Sequence, residues 1–202
     1  MNALLKAYSR EFEAYCSELM LWGATHNLTG YKSRADIMQN IADSLAPLAF
    51  ARDFKSALDI GSGCGFPAIP LALCNAECEF ILLEPRGKRA SFLSVIALNL
   101  GLKNVRILKE RIECVKALPQ VDLITSRAFA ESKKIIEISA KFLHQNGHFL
   151  FYKSRTEGAE SSDFGAQIAE SKLDSATRTK IAESKIYYFY KSKSEALKWL
   201  KS

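Results

Sequence analysis

Leu5, Tyr8, Phe12, Tyr15, Leu19 and Trp22 recur at steps of three and four, the spacing that sets side chains on one face of an α-helix. Such a stripe suits packing against a neighbouring layer better than base stacking. Gly23 is expected to end this helix, Asn27-Leu28-Thr29-Gly30 to make a turn, and a second helix to cover residues 36–50. From Ser56 onward the pattern changes. Five short apolar runs follow: Ala57-Leu58-Asp59-Ile60, Phe80-Ile81-Leu82-Leu83, Val105-Arg106-Ile107-Leu108, Val121-Asp122-Leu123-Ile124 and His148-Phe149-Leu150-Phe151-Tyr152. Helical patterns lie between them, over residues 88–100, stopped by Gly101, and over residues 132–144. The alternation predicts an α/β fold, a doubly wound and mostly parallel sheet with helices on both faces. Residues 154–171 read as polar and weakly helical, and Ile186-Tyr187-Tyr188-Phe189-Tyr190 as a closing strand. Residues 1–50 are expected to form an N-terminal helical extension packed on the core and residues 51–202 the main domain, the two making one globular unit.

Composition narrows the class. Lys and Arg total 28 against 22 Asp and Glu, a formal charge of +6, which suits a polyanionic partner as well as it suits a solvated basic surface. The five cysteines are odd in number and contain no Cys-x-x-Cys, so a reducing, cytoplasmic setting is expected rather than a disulfide scaffold. Cys64, Cys74 and Cys78 lack the spacing of a structural zinc site. His144 and His148 are separated by Asn146-Gly147, which reads as a turn and argues against helical metal ligation. No secretory segment is expected from the start of the sequence, and it contains no apolar run long enough to cross a bilayer. Neither a metal nor a membrane partner is expected.

Chemistry concentrates in Asp59-Ile60-Gly61-Ser62-Gly63-Cys64-Gly65-Phe66-Pro67, between the first strand and a helix that Pro67 is placed to open. Alternate glycines at 61, 63 and 65 allow a sharp turn and a ligand closer than a Cβ would permit. A dinucleotide fingerprint requires a glycine where Phe66 stands, and Phe66 with Pro67 obstructs the approach of a pyrophosphate to the helix N-terminus. Glu84, ending the second strand, is at the distance from the glycines at which a carboxylate accepts hydrogen bonds from ribose hydroxyls. Together Asp59, the glycines and Glu84 indicate a nucleoside without phosphates, S-adenosylmethionine. Asp59 is expected either to orient the loop or to engage the amino-acid part of that cofactor.

The run from Asp59 through Pro67 and on to Ala68-Ile69-Pro70-Leu71-Ala72 resembles the cofactor motif of the glucose-inhibited division protein B family, the 16S ribosomal RNA guanine-N7 methyltransferases. The likeness continues in Trp22 with Asn27-Leu28-Thr29, in Asp43-Ser44-Leu45, Leu82-Leu83-Glu84, Gly87-Lys88-Arg89, Phe92-Leu93, Arg111-Ile112-Glu113, Ser126-Arg127-Ala128-Phe129 and Lys153, and spans about residues 20–155 in unchanged order. The resemblance implies a Rossmann-like class I S-adenosylmethionine-dependent methyltransferase sheet. It implies that Gly61 and Phe66 line the methionine end of the cofactor, and that Ile112 and Glu113 surround its adenine. It makes Arg127 a contact to cofactor and acceptor, with Lys153 beside it as catalytic or RNA-contacting. Lys88, Arg89 and Arg111 are candidate RNA contacts of the same surface. Read without the resemblance, Glu113 equally fits an exposed carboxylate and Arg127 a structural ion pair.

Two departures from the family pattern stand out. Asn40 occupies a place usually held by histidine, so no acid–base role is assigned there. The chain ends in a lysine-rich segment containing Trp199 in place of an arginine-rich Gly-Thr-Pro end.

Guanine N7 carries a lone pair and needs no deprotonation before methylation, so alignment and water exclusion suffice. The Pro-Pro-aromatic loop used on exocyclic amines is absent, Ser126-Arg127-Ala128-Phe129 standing in its place. No cysteine carries the adjacent proline associated with pyrimidine C5 chemistry. The expected activity is therefore methylation of guanine N7 in 16S ribosomal RNA, by a monomer whose partner is that RNA or the small ribosomal subunit. The alternatives are methylation of another acceptor and a non-catalytic RNA-binding protein on the same fold.

Overall fold

The computed structural model describes residues 2–26, 30–49, 53–127, 132–154 and 185–190. The motif Asn27-Leu28-Thr29, the pair Ala128-Phe129, most of the polar stretch after Ser154 and the tail with Trp199 lie outside the described residues.

Helix α1 spans Asn2–Ala7 and α2 spans Ser9–His26. The amide of Tyr8 still bonds to the Leu4 carbonyl, and that of Phe12 to Tyr8, so the apolar stripe runs on through the junction. Gly23 does not end α2, which continues for three further residues; glycine inside a helix costs about 1 kcal/mol, less than the packing of this stripe supplies. Helix α3, Arg34–Leu45, begins earlier than its apolar pattern because Ser33 and Asp36 form a reciprocal capping box. A single 3₁₀ turn, Ala46–Ala49, replaces its expected last turn.

Strands β1 (Ser56–Ile60), β2 (Glu79–Leu83), β3 (Val105–Leu108), β4 (Val121–Arg127), β5 (Leu143–Ser154) and β6 (Lys185–Tyr190) form one sheet in the order β3-β2-β1-β4-β5-β6. All pairings are parallel except β5 with β6. Helices α4 (Ala68–Cys74), α5 (Gly87–Asn99) and α6 (Ser132–Ser139) are the crossovers. Leaving α5, Gly101 turns at φ 65°, and Leu102 and Gly101 donate to the Ala97 and Leu98 carbonyls, the glycine stop that the sequence indicates. Strand order reverses between β1 and β4, which opens a crevice at their carboxyl ends.

The two faces of the sheet carry separate apolar layers. Ala57, Phe80, Leu82, Leu123 and Leu150 pack with Phe12, Tyr15 and Leu19 of α2, Ile37 and Ile41 of α3, and Phe92 and Leu93 of α5. Leu58, Ile81, Ile124 and Phe149 face the other way, onto Ile135 and Ile136 of α6. Burial on both faces explains why the central strands read as continuous apolar runs.

The fifth strand departs from expectation. The helix expected over residues 132–144 gives way after Ser139 to a 3₁₀ turn, Ala140–Phe142, and β5 begins at Leu143. Leu143 pairs with Val121 and His148 with Leu123, so the Asn146-Gly147 turn survives as an irregularity inside the strand. A Cβ on Gly147 would lie 2.9 Å from the Asp122 carbonyl oxygen and 2.7 Å from Leu143, which is why a glycine stands where the two strands come so close.

Candidate functional site

Beyond β1 the chain turns on itself. The amides of Gly61 and Ser62 both donate to the Leu83 carbonyl at 2.9 and 3.0 Å, and Gly61, Gly63 and Gly65 adopt φ values of 72°, 56° and 96°. Only glycine occupies this region without strain. The glycines then divide their duties. Gly61 and Gly63 line a cavity of about 650 Å³ at the carboxyl ends of the strands; a Cβ on Gly63 would meet nothing closer than the Gly61 carbonyl oxygen at 3.8 Å. Gly65 faces the core instead. A Cβ there would fall 2.5 Å from Ile69, 2.8 Å from the Tyr15 hydroxyl and 3.2 Å from Leu93. Packing alone therefore accounts for a glycine at this position. Gly65→Ala is expected to destabilise the fold by roughly 2–4 kcal/mol, through overpacking added to left-handed strain; urea unfolding of the two proteins checks it.

Pro67 sits at the N-cap of α4 rather than at its first helical residue. Phe66, 5% exposed, lines the cavity and packs its ring against Tyr15 and Tyr31. The Tyr15 hydroxyl reaches from α2 to donate to the Cys64 carbonyl at 2.5 Å, so the N-terminal helices brace the glycine turn directly.

Glu84 is 3% exposed and holds two loops together. Its Oε2 accepts the Gly63 amide at 2.9 Å and its Oε1 the Arg86 amide at 2.8 Å. Each carboxylate oxygen keeps a further lone pair, and the residue lines the cavity, so a vicinal diol could be bound there.

Asp59 stands behind the turn, 1% exposed, and is not among the cavity-lining residues. The Thr125 hydroxyl donates to its Oδ1 at 2.6 Å, and Ser62 donates to its carbonyl oxygen at 3.2 Å. The orienting role fits this position. Burial pushes the Asp59 carboxyl up to about 7, against the opposing pull of the Thr125 and Ser62 hydroxyls. A carboxyl raised on folding makes the native state bind more protons than the unfolded chain between the two pKa values. Stability contributed by the protonated form is therefore lost as pH rises from about 4 to about 7. Asp59→Asn, which stays neutral throughout, is expected to flatten the melting temperature across that window; parallel melting curves at pH 5 and pH 8 check it.

Arg127 is the last residue of β4, not the first beyond it. Its Nη2 donates to the Asn40 side-chain oxygen on α3, its guanidinium lies 5.6 Å from the centre of the Phe66 ring, and its Nη1 is buried with no hydrogen-bond partner among the described residues. Arg86, Arg89 and Arg111 also line the cavity, where Glu84 is the one carboxylate among the described residues. Such a wall attracts anions. Lys88 is exposed on the first turn of α5. Ile112 is 2% exposed within the apolar layer under α6, and Glu113 is exposed; both directly follow Arg111, which lines the cavity. Lys153 lies within β5, paired with Ile186 of β6, rather than after the strand.

Six described lining residues were not singled out as site residues from the sequence: Gly30, Tyr31, Ser62, Cys64, Pro85 and Arg86. Arg86 follows Glu84 by two positions and was legible as a neighbour of the ribose candidate. Tyr31 carried no signal, because its place depends on an edge contact with Phe66. Burial pushes the Cys64 thiol up to about 11 and raises Tyr31 as well.

A family model described as rRNA small subunit methyltransferase G matches residues 8–187. The chain belongs to that family. It is 47% identical over 193 residues to the ribosomal RNA small subunit methyltransferase G of Helicobacter pylori, covering 96% of this chain and 98% of the relative. It is 42% identical over 186 residues to the enzyme of the same name from Helicobacter hepaticus, covering 91% and 95%. Among solved structures, a SAM-dependent O-methyltransferase from Thermotoga maritima superposes with a TM-score of 0.52 at 18% identity, over 71% of this chain and 51% of that one. A coclaurine N-methyltransferase bound to N-methylheliamine and SAH gives 0.52 at 13% identity, over 67% and 42%. At such identities the likeness is one of fold, and it is the class I methyltransferase fold that the glycine turn and sheet order indicate. The expected family and fold stand.

S-adenosylmethionine, the cofactor of this family, fits what the cavity offers. Gly61 and Gly63 form a cradle whose left-handed backbone excludes side chains, Glu84 offers a carboxylate suited to a diol, and the Nη1 of Arg127, without a partner among the described residues, suits a carboxylate.

Proposed function

We propose that this chain methylates N7 of a guanine in the 16S ribosomal RNA of the small ribosomal subunit, drawing on S-adenosylmethionine, in the cytoplasm and as a monomer. Membership of the rRNA small subunit methyltransferase G family carries the reading. Residues 1–50 and 51–202 act in it as one unit: Tyr15 and Asn40 of the N-terminal helices bond directly to the glycine turn and to Arg127. Among the described residues, no helix is long and apolar enough to cross a membrane.

When bound, the cofactor supplies an electrophilic methyl group. The chain's own task is to place it and to keep water away. Glu84 and the glycine turn hold the nucleoside end, Phe66 walls the methionine end, and Arg127 orients carboxylate or phosphate oxygens by charge-assisted hydrogen bonds. No general base is needed at N7, and the lining fits that economy. Both Glu84 oxygens are engaged by main-chain amides, while Cys64 and Tyr31 are shifted away from ionisation at neutral pH. A Cys64 thiol held near 11 is likewise a poor nucleophile for pyrimidine C5 chemistry.

Arg86, Arg89, Lys88, Arg111 and Lys153 are assigned to the RNA backbone. Binding to small-subunit RNA is accordingly expected to weaken steeply with salt, and Arg89→Ala to make the slope of log K against log salt shallower by about one unit; filter-binding titrations over a salt series check it. Chemical cleavage at N7-methylguanine, with mass spectrometry of digested ribosomal RNA from cells with and without the protein, tests the function. A site lost with the protein supports it. A methyl group found on an exocyclic amine, on C5 or on ribose would overturn it.

A further inference from the structure

Arg127 of β4 and Tyr152 of β5 are direct register partners, so their side chains leave the sheet on the same face. Both reach α3. Arg127 Nη2 donates to the Asn40 side-chain oxygen, and the Tyr152 hydroxyl donates to the Ser44 carbonyl at 2.9 Å. Asn40 and Ser44 are four residues apart, one helical turn, and the Ser44 hydroxyl closes the span by donating to the Asn40 carbonyl at 2.7 Å. The helix is thus fixed across the carboxyl edge of the sheet at two points, by two neighbouring strands, at the place where strand order reverses.

Asn40 itself has no freedom to turn. Its Nδ2 donates to the Asp36 carbonyl at 2.7 Å, and Asp36 is locked by the capping box with Ser33. That bond fixes which end of the amide faces Arg127: the oxygen, the only end able to accept from a guanidinium. Arg127 meets the Phe66 ring as well. An arginine side chain has four rotatable bonds, and losing one of two supports leaves it free to swing.

We propose that Asn40 is the positioning residue of Arg127: its amide oxygen, aimed by Asp36 and carried on a helix that Tyr152 pins through Ser44, holds the guanidinium at the mouth of the cavity so that Nη1 is the group presented to the ligand. The inference rests on the methyltransferase reading for its catalytic consequence, but not for its geometry. It assigns Asn40 neither proton transfer nor contact with the reacting atoms.

Two measurements separate these parts. In the free protein, with no cofactor or RNA, the guanidinium nitrogens of Arg127 are expected to give separate, slowly exchanging signals in ¹⁵N NMR, as a held guanidinium does. Asn40→Leu, of similar volume but without an acceptor, is expected to average them, while Asn40→Asp retains them. Tyr152→Phe is expected to leave them resolved, because the Asn40 contact itself is intact. In turnover on small-subunit RNA, Asn40→Leu is expected to lower kcat about 10- to 100-fold, the cost of a misplaced orienting group. Asn40→Asp is expected to restore most of it, and Asn40→Leu to cost nothing further in an Arg127→Ala background. Averaged Arg127 signals in the parent protein, or losses that multiply in the double variant, would overturn the proposal. A parent protein with resolved signals but no methyl transfer would support the geometry and count against the methyltransferase reading alone.

Discussion

Arg127→Ala is expected to lower methyl transfer to ribosomal RNA by about 100- to 1,000-fold while the protein stays folded. The fold survives because Arg127 ends its strand and contributes no apolar bulk: β4 keeps its pairings to β1 and β5 through Leu123, Ile124 and Thr125, and Phe66 retains its contacts with Tyr15 and Tyr31. What is lost is a donor at the cavity mouth whose Nη1 has no partner within the described residues. A cation pressed against the purine would oppose the positive charge that develops there on N7 methylation. The guanidinium is therefore read as holding an oxygen of the cofactor carboxylate or of the RNA, and not as touching the methylated nitrogen. Arg127→Lys keeps the charge but loses the planar fork, and is expected to recover little of the rate. Single-turnover assays with saturating cofactor and RNA, beside thermal melts of each variant, check both statements. Turnover equal to the parent protein would remove Arg127 from the site.

Much of this architecture is legible in the chain because local pattern and burial agree. The runs around Leu58, Ile81, Ile107 and Ile124 are strands, three of them with interior positions buried from both sides of the sheet, and no other reading suits short β-rich segments separated by helix-period stretches. The glycine turn and Glu84 were legible for a similar reason. Each is a local requirement, of backbone conformation in one case and of distance from the turn in the other, and the bond from the Gly63 amide to Glu84 joins them.

What was not legible shares a different physical origin. Gly65 looks like Gly61 and Gly63 in the alternation, yet its reason for being glycine is the Tyr15 hydroxyl, fifty residues earlier, together with Ile69 and Leu93. Ile112 is adjacent to a cavity-lining arginine but turns into the apolar layer, a choice made by α6 packing rather than by its own neighbours. Asn40 and Arg127 are 87 positions apart. No periodicity connects them; their meeting depends on where α3 crosses the sheet edge. The early start of α3, by contrast, was available locally in Ser33-x-x-Asp36, a capping signal that outweighs the position of the first apolar residue.

Glu84→Ala is expected to weaken binding of S-adenosylhomocysteine by about 100-fold or more. Two losses add. The hydrogen bonds that a buried carboxylate accepts from a ribose diol are charge-assisted and worth about 1.5–3 kcal/mol each. The Gly63 and Arg86 amides, which donate to Oε2 and Oε1 at 2.9 and 2.8 Å, are left without that acceptor, so the turn that forms the cradle loses its tie to the end of β2. Two such bonds from the diol, about 3–6 kcal/mol together, already exceed the 2.7 kcal/mol or so that corresponds to 100-fold in affinity. Glu84→Gln separates the two effects. Its one oxygen can keep either the Gly63 or the Arg86 bond but not both, and its NH₂ can only donate, so affinity is expected to fall between the parent protein and Glu84→Ala. RNA binding by both variants, measured without cofactor, is expected to stay within about twofold, because the arginine side chains proposed to meet phosphates are untouched. Isothermal titration calorimetry with S-adenosylhomocysteine decides the matter: parent-like affinity in Glu84→Ala would show that the nucleoside is held elsewhere.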